Sequence, residues 1–186
     1  MNRFEVFDLP IPGLKLVERK KIGDHRGFFV RLFCAEELAT LGWSKPIVQV
    51  NQSFTARRGT VRGMHFQHPP HVEMKMVLCL KGKVWDVALD IRAGSPTFLR
   101  WHAEVLSAEN NRAFLIPEGF AHGFQTLTDK VELLYFHTAP YVPNVEDGIN
   151  PCDPTIKISW PLPITEISER DESLPTIKPA FKGLNI

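Results

Sequence analysis

The sequence predicts an all-β fold, a sandwich or barrel with short peripheral helices, on three observations. Segments 47–54, 61–66, 74–80, 83–91, 101–106, 113–116, 120–127 and 131–138 are short and rich in apolar, aromatic or β-branched residues. Turn signals separate them: Arg58-Gly59, Pro69-Pro70, Lys81-Gly82, Ala93-Gly94-Ser95-Pro96, Glu109-Asn110-Asn111, Pro117-Glu118-Gly119 and Thr128-Asp129-Lys130. Only one early stretch, 35–41, reads as a helix, with Gly42 placed to end it in a left-handed cap. Many short strands at close spacing with few helices are the pattern of a closed or double-layered β architecture. From about Pro140 onward prolines crowd in (Pro143, Pro151, Pro154, Pro161, Pro163), so the last part of the chain is expected as an irregular tail wrapped over the barrel.

Size and composition bound what such a fold can do. With 186 residues, 44% of them hydrophobic and 13 of them Phe, the chain can bury one substantial core, so residues 1–186 are expected to form a single domain. Lys and Arg total 22 against 21 Asp and Glu, a net charge of +1. No overall field draws in nucleic acid or an anionic membrane, so any bound anion must be held by a local cluster. Cys34, Cys79 and Cys152 are odd in number and widely spaced, which reads as free thiols in a reducing cytoplasm. The start, Met1-Asn2-Arg3-Phe4-Glu5, lacks a signal-peptide pattern, and no apolar run approaches the roughly 20 residues that span a bilayer.

Chemistry-bearing residues gather in two runs: Arg62-Gly63-Met64-His65-Phe66-Gln67-His68, followed by Lys75, and Pro117-Glu118-Gly119-Phe120-Ala121-His122-Gly123-Phe124. A lone histidine in a β-protein is more often a hydrogen-bonded packing residue than a catalyst. Here an Arg three residues before His65 and a Lys ten residues after it would be costly inside a barrel unless something anionic sat among them. A cationic pocket suited to phosphate follows. Strand alternation puts Lys75, Val77 and Cys79 on one face and Met74, Met76 and Leu78 on the other, so Lys75 can face a lumen. Arg62 and His65 differ by an odd number, and a bulge or strand end at Gly63 is needed to bring both into one pocket.

A metal competes for the same histidines. His65, Glu73 and His122 resemble the ligand set of metal-binding cupins, but the usual H-x-H is His65-Phe66-Gln67 here, and Gln is a poor transition-metal ligand. The expectation is therefore no metal and no other cofactor.

The runs Asp24-His25-Arg26-Gly27-Phe28-Phe29, Gln49-Val50-Asn51-Gln52-Ser53, Gly59-Thr60-Val61-Arg62-Gly63-Met64-His65-Phe66-Gln67, Asp86-Val87-Ala88-Leu89-Asp90-Ile91-Arg92 and Ile116-Pro117-Glu118-Gly119-Phe120-Ala121-His122-Gly123-Phe124 resemble the dTDP-4-dehydrorhamnose 3,5-epimerases. The similarity runs from about Phe7 to Asp171 and includes Ser95-Pro96-Thr97-Phe98 and Ile158-Ser159-Trp160-Pro161. The resemblance implies a metal-free cupin-like jelly roll, a homodimer with exchanged N-terminal strands, and a nucleotide-sugar substrate in deoxysugar synthesis.

The chemistry of such a reaction fits the residues. Carbons 3 and 5 of a 4-keto sugar flank a carbonyl, so inverting them calls for a base, a cation for the enolate and an acid on the opposite face. An imidazole ordinarily titrates near neutral pH, which suits His65 as the base. The resemblance implies Asp171 as the partner that fixes its tautomer, Lys75 beside the enolate oxygen and Tyr135 as the proton donor. It further implies substrate contacts at Arg62, His122, Glu146 and Arg170, with Arg26, Gln49 and Asn51 on the nucleotide side.

The chain departs from the family where Arg31 replaces a usual Glu, and where Phe136 and Ala139-Pro140 follow Tyr135. Exchanging an acceptor for a donor fork at Arg31 opens the reading that a CDP-linked sugar rivals the dTDP-linked one, against the reading that Arg31 faces solvent or reaches a phosphate. Two rival functions stand beside the epimerase: a metal-dependent cupin enzyme using His65, Glu73 and His122, and a sugar-nucleotide binder without turnover.

Overall fold

Alternation of side chains across strands organises the molecule, which is described for residues 3–186 in a computed structural model. Four strands come first: β1 (Phe4–Asp8), β2 (Lys15–Arg19), β3 (Lys21–Asp24) and β4 (Gly27–Val30). After helix α1 (Ala35–Ala39) follow β5 (Gln49–Thr55), β6 (Val61–Gln67), β7 (Lys75–Lys81), β8 (Lys83–Asp90), β9 (Trp101–Ser107), β10 (Arg112–Ile116), β11 (Phe120–Thr126) and β12 (Val131–His137). The tail adds a 3-10 turn at Pro143–Val145, strand β13 (Glu146–Gly148) and helix α2 (Glu169–Glu172).

Two antiparallel sheets face each other as a cupin-like β-sandwich, as the sequence leads one to expect. One has the order β1-β2-β10-β7-β12-β5 and the other β13-β6-β11-β8-β9. Their inward side chains form the central core: Val77 and Cys79 of β7, Leu133 of β12 and Phe114 and Ile116 of β10 meet Val84 and Ala88 of β8, Leu106 of β9 and Phe120 and Phe124 of β11. Burying each aromatic or aliphatic side chain of this size contributes roughly 1.5–3 kcal/mol. The outward faces are covered too. Met76, Leu78 and Leu115 pack against Leu38 of α1 and Trp43, while Val87, Leu89 and Ala121 lie under Ile149, Ile156 and Leu184 of the tail.

Strands β5 to β12 match the segments read from sequence to within a residue or two at each end. The helix expected over 35–41 closes earlier, at Ala39. Gly42 follows in the left-handed region at φ 110°, and Trp43 N–H returns to the Leu38 carbonyl at 2.9 Å. The tail wraps the second sheet as expected, yet it holds more regular structure than its prolines suggest, since β13 pairs with β6 along its whole length.

The strands β1 to β4 lie outside the segments that the sequence pattern marks. β3 and β4 form a separate hairpin whose residues are exposed, apart from the half-buried Val30, so no buried face imposes a pattern on them. Phe28 and Phe29 are 64% and 62% exposed, and edge strand β5 turns Val50 and Phe54 outward.

Candidate active site

The core changes character along its length. β12 points Leu133, then Tyr135, then His137 inward, and β7 runs from Cys79 through Val77 to Lys75, so an apolar plug gives way to polar groups at one end. That end opens as a cavity of about 820 Å³ bordered by β5, β6, β7, β11, β12 and the tail.

The β6 irregularity that the sequence required is present. In the pairing of β6 with β11, His65 lies opposite His122 but Arg62 lies opposite Phe124, a register shift centred on Gly63. Gly63 has φ 110°, and a Cβ there would sit 2.6 Å from both Gly123 Cα and the His122 carbonyl oxygen. Only glycine lets the strands approach this closely, and the shift brings Arg62 and His65 to the same cavity.

His65 Nε2 lies 2.7 Å from Asp171 Oδ1, and Asp171 Oδ2 accepts the Gly63 N–H at 3.0 Å. The imidazole is 29% exposed and the carboxylate 4%, so the ring faces the opening and its partner lies behind it. Burial pushes the Asp171 carboxyl up, but the His65 ring, the Gly63 amide and the nearby Arg170 outweigh it and hold the group below its ordinary range. An ionised Asp171 can only accept, which leaves the proton on His65 Nε2 and a lone pair on Nδ1. The same α2 turn is capped by Ser168, whose Oγ accepts the Asp171 N–H at 3.1 Å.

Tyr135 borders the cavity, with its hydroxyl 2.9 Å from Ser53 Oγ. Burial pushes its phenol well above the ordinary value, the bond to Ser53 works against this, and the carboxylate of Asp86 adds to it. The group is therefore a proton carrier at neutral pH. His122 Nε2 bonds Asp86 Oδ1 at 2.8 Å, and Asp86 Oδ2 is buried without a hydrogen-bond partner among the described residues.

Lys75 pairs with Glu73 at 2.8 Å, and Glu73 also meets His137 Nδ1 at 2.7 Å. Arg62 makes no ion pair among the described residues. At the mouth, Glu146 accepts from Arg170 at 2.6 Å and from Tyr141 Oη at 2.8 Å.

Of the residues singled out from sequence, His65, Lys75, Arg62, His122, Tyr135, Gln49, Asn51, Glu146 and Arg170 border this one cavity, and Asp171 stands directly behind His65. Arg26 and Arg31 are not brought to it within this chain. Arg26 sits at the exposed tip between β3 and β4, clamped to Asp24, and the Arg31 guanidinium is engaged by Glu37 of α1.

The metal-cupin set does not assemble either. His65 is held by Asp171, Glu73 by Lys75 and His137, and His122 by Asp86. No three His, Cys, Asp or Glu among the described residues are placed to grip an ion. Sequence reading missed Ser53, Asp86 and His137, and cast Glu73 only as a metal ligand. A signal existed for His137, two residues beyond Tyr135 and so on the same face of one strand.

The chain also resembles proteins of known activity. The family model described as dTDP-4-dehydrorhamnose 3,5-epimerase matches residues 8–179. A dTDP-4-dehydrorhamnose 3,5-epimerase of Salmonella typhimurium is 41% identical over 178 residues, covering 95% of this chain and 97% of that one. The crystal structure of dTDP-6-deoxy-D-glucose-3,5-epimerase from Legionella pneumophila in complex with dTDP-4-keto-L-rhamnose superposes with a TM-score of 0.92 at 38% identity, covering 98% of each chain. A dTDP-4-dehydro-6-deoxyglucose 3-epimerase from Streptomyces is 38% identical over 159 residues, covering 84% of this chain and 81% of that one. A cupin-like sandwich, a histidine backed by a carboxylate at its open end, and similarity over nearly the whole sequence make this chain a member of the dTDP-4-dehydrorhamnose 3,5-epimerase family.

Proposed function

We propose that this chain inverts carbon 3, and carbon 5 where the ring allows, of a dTDP-linked 4-keto-6-deoxy sugar in deoxysugar synthesis. The observation that carries this reading is the His65–Asp171 pair opening onto the same cavity as Tyr135. His65 Nδ1 takes the proton from the sugar carbon, and the C–H electron pair becomes a double bond to carbon 4 as the carbonyl oxygen gains the charge. Lys75 lies at that oxygen, with Arg62 adding a second cation, and both act inside a walled cavity where fixed charges count for more than in water. Tyr135 then delivers its proton to the opposite face, and the electrons return from the oxygen to restore the ketone with the carbon inverted. The resulting imidazolium and phenolate are reset through solvent.

Glu146 and Arg170 border the entrance, and Gln49 and Asn51 line the wall beside them. The chain works as one domain, its tail from about residue 140 supplying Asp171 and Arg170. A homodimer with exchanged N-terminal strands accounts for the exposed apolar hairpin of β3 and β4, and it would let Arg26 reach a partner's cavity. Among the described residues no helix is long and apolar enough to cross a membrane.

Incubation with dTDP-4-keto-6-deoxyglucose in heavy water tests the reading. Deuterium at carbon 3, or at carbons 3 and 5, is expected in the product by NMR and mass spectrometry. Absence of exchange from this and from related 4-keto sugar nucleotides would overturn it.

A further inference from the structure

Beside the groups already given a part, the cavity wall carries a carboxylate and an imidazole, Glu73 and His137, for which the reaction as written has no use. The two carboxylate oxygens of Glu73 divide between neighbours: Oε1 takes Lys75 Nζ at 2.8 Å and Oε2 takes His137 Nδ1 at 2.7 Å. The side chains are 7% exposed for Lys75 and 11% for both Glu73 and His137, so solvent screens this cluster little. Burial works to protonate Glu73, yet the charge of Lys75 and the hydrogen bonds from His137 and Lys75 hold its carboxyl down at about 2. An anion at that place can only accept, which fixes a proton on His137 Nδ1.

The other side of the ring is also specified. His137 Nε2 faces the Asn51 side-chain nitrogen at 3.5 Å, Asn51 Oδ1 accepts from Gln49 Nε2 at 3.2 Å, and Gln49 Oε1 accepts the Tyr141 backbone N–H at 2.9 Å. A backbone N–H cannot reverse its role, so the bonds run one way from the mouth of the cavity through His137 to Glu73, whose other oxygen accepts from Lys75. The His137 ring also lies nearly parallel to that of Tyr135, with centroids 6.1 Å apart and 22° between planes.

Lys75 has Glu73 as its single anchor among the described residues, and its remaining ammonium protons are available to a ligand in the cavity. Four freely rotating methylenes would otherwise let the ammonium wander. We infer that Glu73 and His137 form a positioning pair for Lys75, holding its ammonium in one place at the oxygen that becomes the enolate. The inference rests on the epimerase reading and adds to it two residues that act through a third.

Three variants and one spectrum test it. His137→Phe keeps a flat ring beside Tyr135 but removes the donor to Glu73. His137→Asn restores an N–H two bonds from Cβ, as far out as Nδ1. A displaced catalytic group costs up to roughly 100-fold, so His137→Phe is expected to lower kcat at least about 10-fold with KM within about 2-fold, while His137→Asn recovers most of the loss. Nitrogen NMR of the wild type is expected to show His137 as the Nδ1–H tautomer, a signature lost in Glu73→Gln.

An unchanged kcat in His137→Phe, a loss confined to KM, or a His137→Asn variant as slow as His137→Phe overturns the inference. An Nε2–H tautomer in the wild type overturns it as well, with no variant required to fold. Wild-type protein inactive on every 4-keto sugar nucleotide would instead sink the epimerase reading, and the nitrogen spectrum would still decide the pair.

Discussion

Replacing Asp171 by Asn probes the centre of the proposed chemistry while changing a single side-chain atom. The native carboxylate accepts twice, from His65 Nε2 at 2.7 Å and from Gly63 N–H at 3.0 Å. An amide has one acceptor oxygen, so one of these donors must lose its partner or change its role. If the oxygen stays with the Gly63 N–H, which cannot rearrange, the amide NH₂ meets His65 and forces Nε2 to accept. The ring proton then moves to Nδ1, the lone pair faces Asn, and the base has no free electron pair toward the sugar. The reverse placement sets the NH₂ against the Gly63 N–H and leaves a buried clash of donors, so the tautomer flip prevails. Inverting the tautomer of a carboxylate-held histidine costs about 10⁴-fold in serine hydrolases, and positioned proton transfer is typically worth about 10²- to 10⁴-fold. A kcat loss in that range is expected for Asp171→Asn. KM should barely move, because Asp171 is 3% exposed and stands behind the base. The assay is the initial rate of deuterium entry at carbon 3, alongside a thermal melt. A folded variant with less than about a 10-fold loss in kcat, or one altered in KM alone, would refute this account of the base.

Further outcomes follow from the same geometry. Tyr135→Phe should retain deuterium exchange better than net inversion, since the base acts before the acid; equal loss of both would remove Tyr135 from its place as donor. Gly63→Ala forces a Cβ to within 2.6 Å of backbone at φ 110°, and urea unfolding should show a destabilisation of about 2–5 kcal/mol, with a near-normal midpoint counting against the close-approach argument. Glu73 has a folded value of about 2 against an ordinary 4.5, so its ionisation stabilises the fold by about 3 kcal/mol above pH 5, and this is lost as pH falls from there toward 2. Glu73→Gln should accordingly lie furthest below wild type near neutrality and converge with it in acid, whereas a gap that ignores pH would contradict the linkage. Dialysis against a strong chelator should leave epimerisation intact, because Lys75 and Arg62 supply the positive charge; activity lost and then restored by one divalent ion would speak for a metalloenzyme.

The strands from β5 to β12 were legible in the sequence, and the exposed hairpin of β3 and β4 was not. β7 and β8 announce themselves because both their faces are buried and their residues are apolar almost throughout. β3 and β4 bury almost nothing within this chain, so Lys21-Ile22-Gly23-Asp24 carries no hydrophobic rhythm to read. In the site, alternation correctly placed Lys75 toward the lumen, and parity alone demanded the register shift at Gly63. Pairing was legible only through resemblance, as for Asp171 and His65 across 106 residues, or not at all, as for the His122 bond to Asp86 on the neighbouring strand. No spacing in a linear sequence encodes contacts that depend on where a tail lies or how two strands are staggered.

The base and the carboxylate that orients it are made at very different moments on the ribosome. His65 emerges with the early strands, whereas Asp171 belongs to α2, formed after both sheets have their strands. Until that last turn is made, the imidazole has nothing to choose between its tautomers. Competence therefore waits on α2. The order of synthesis thus keeps the imidazole idle until its carboxylate partner has been made.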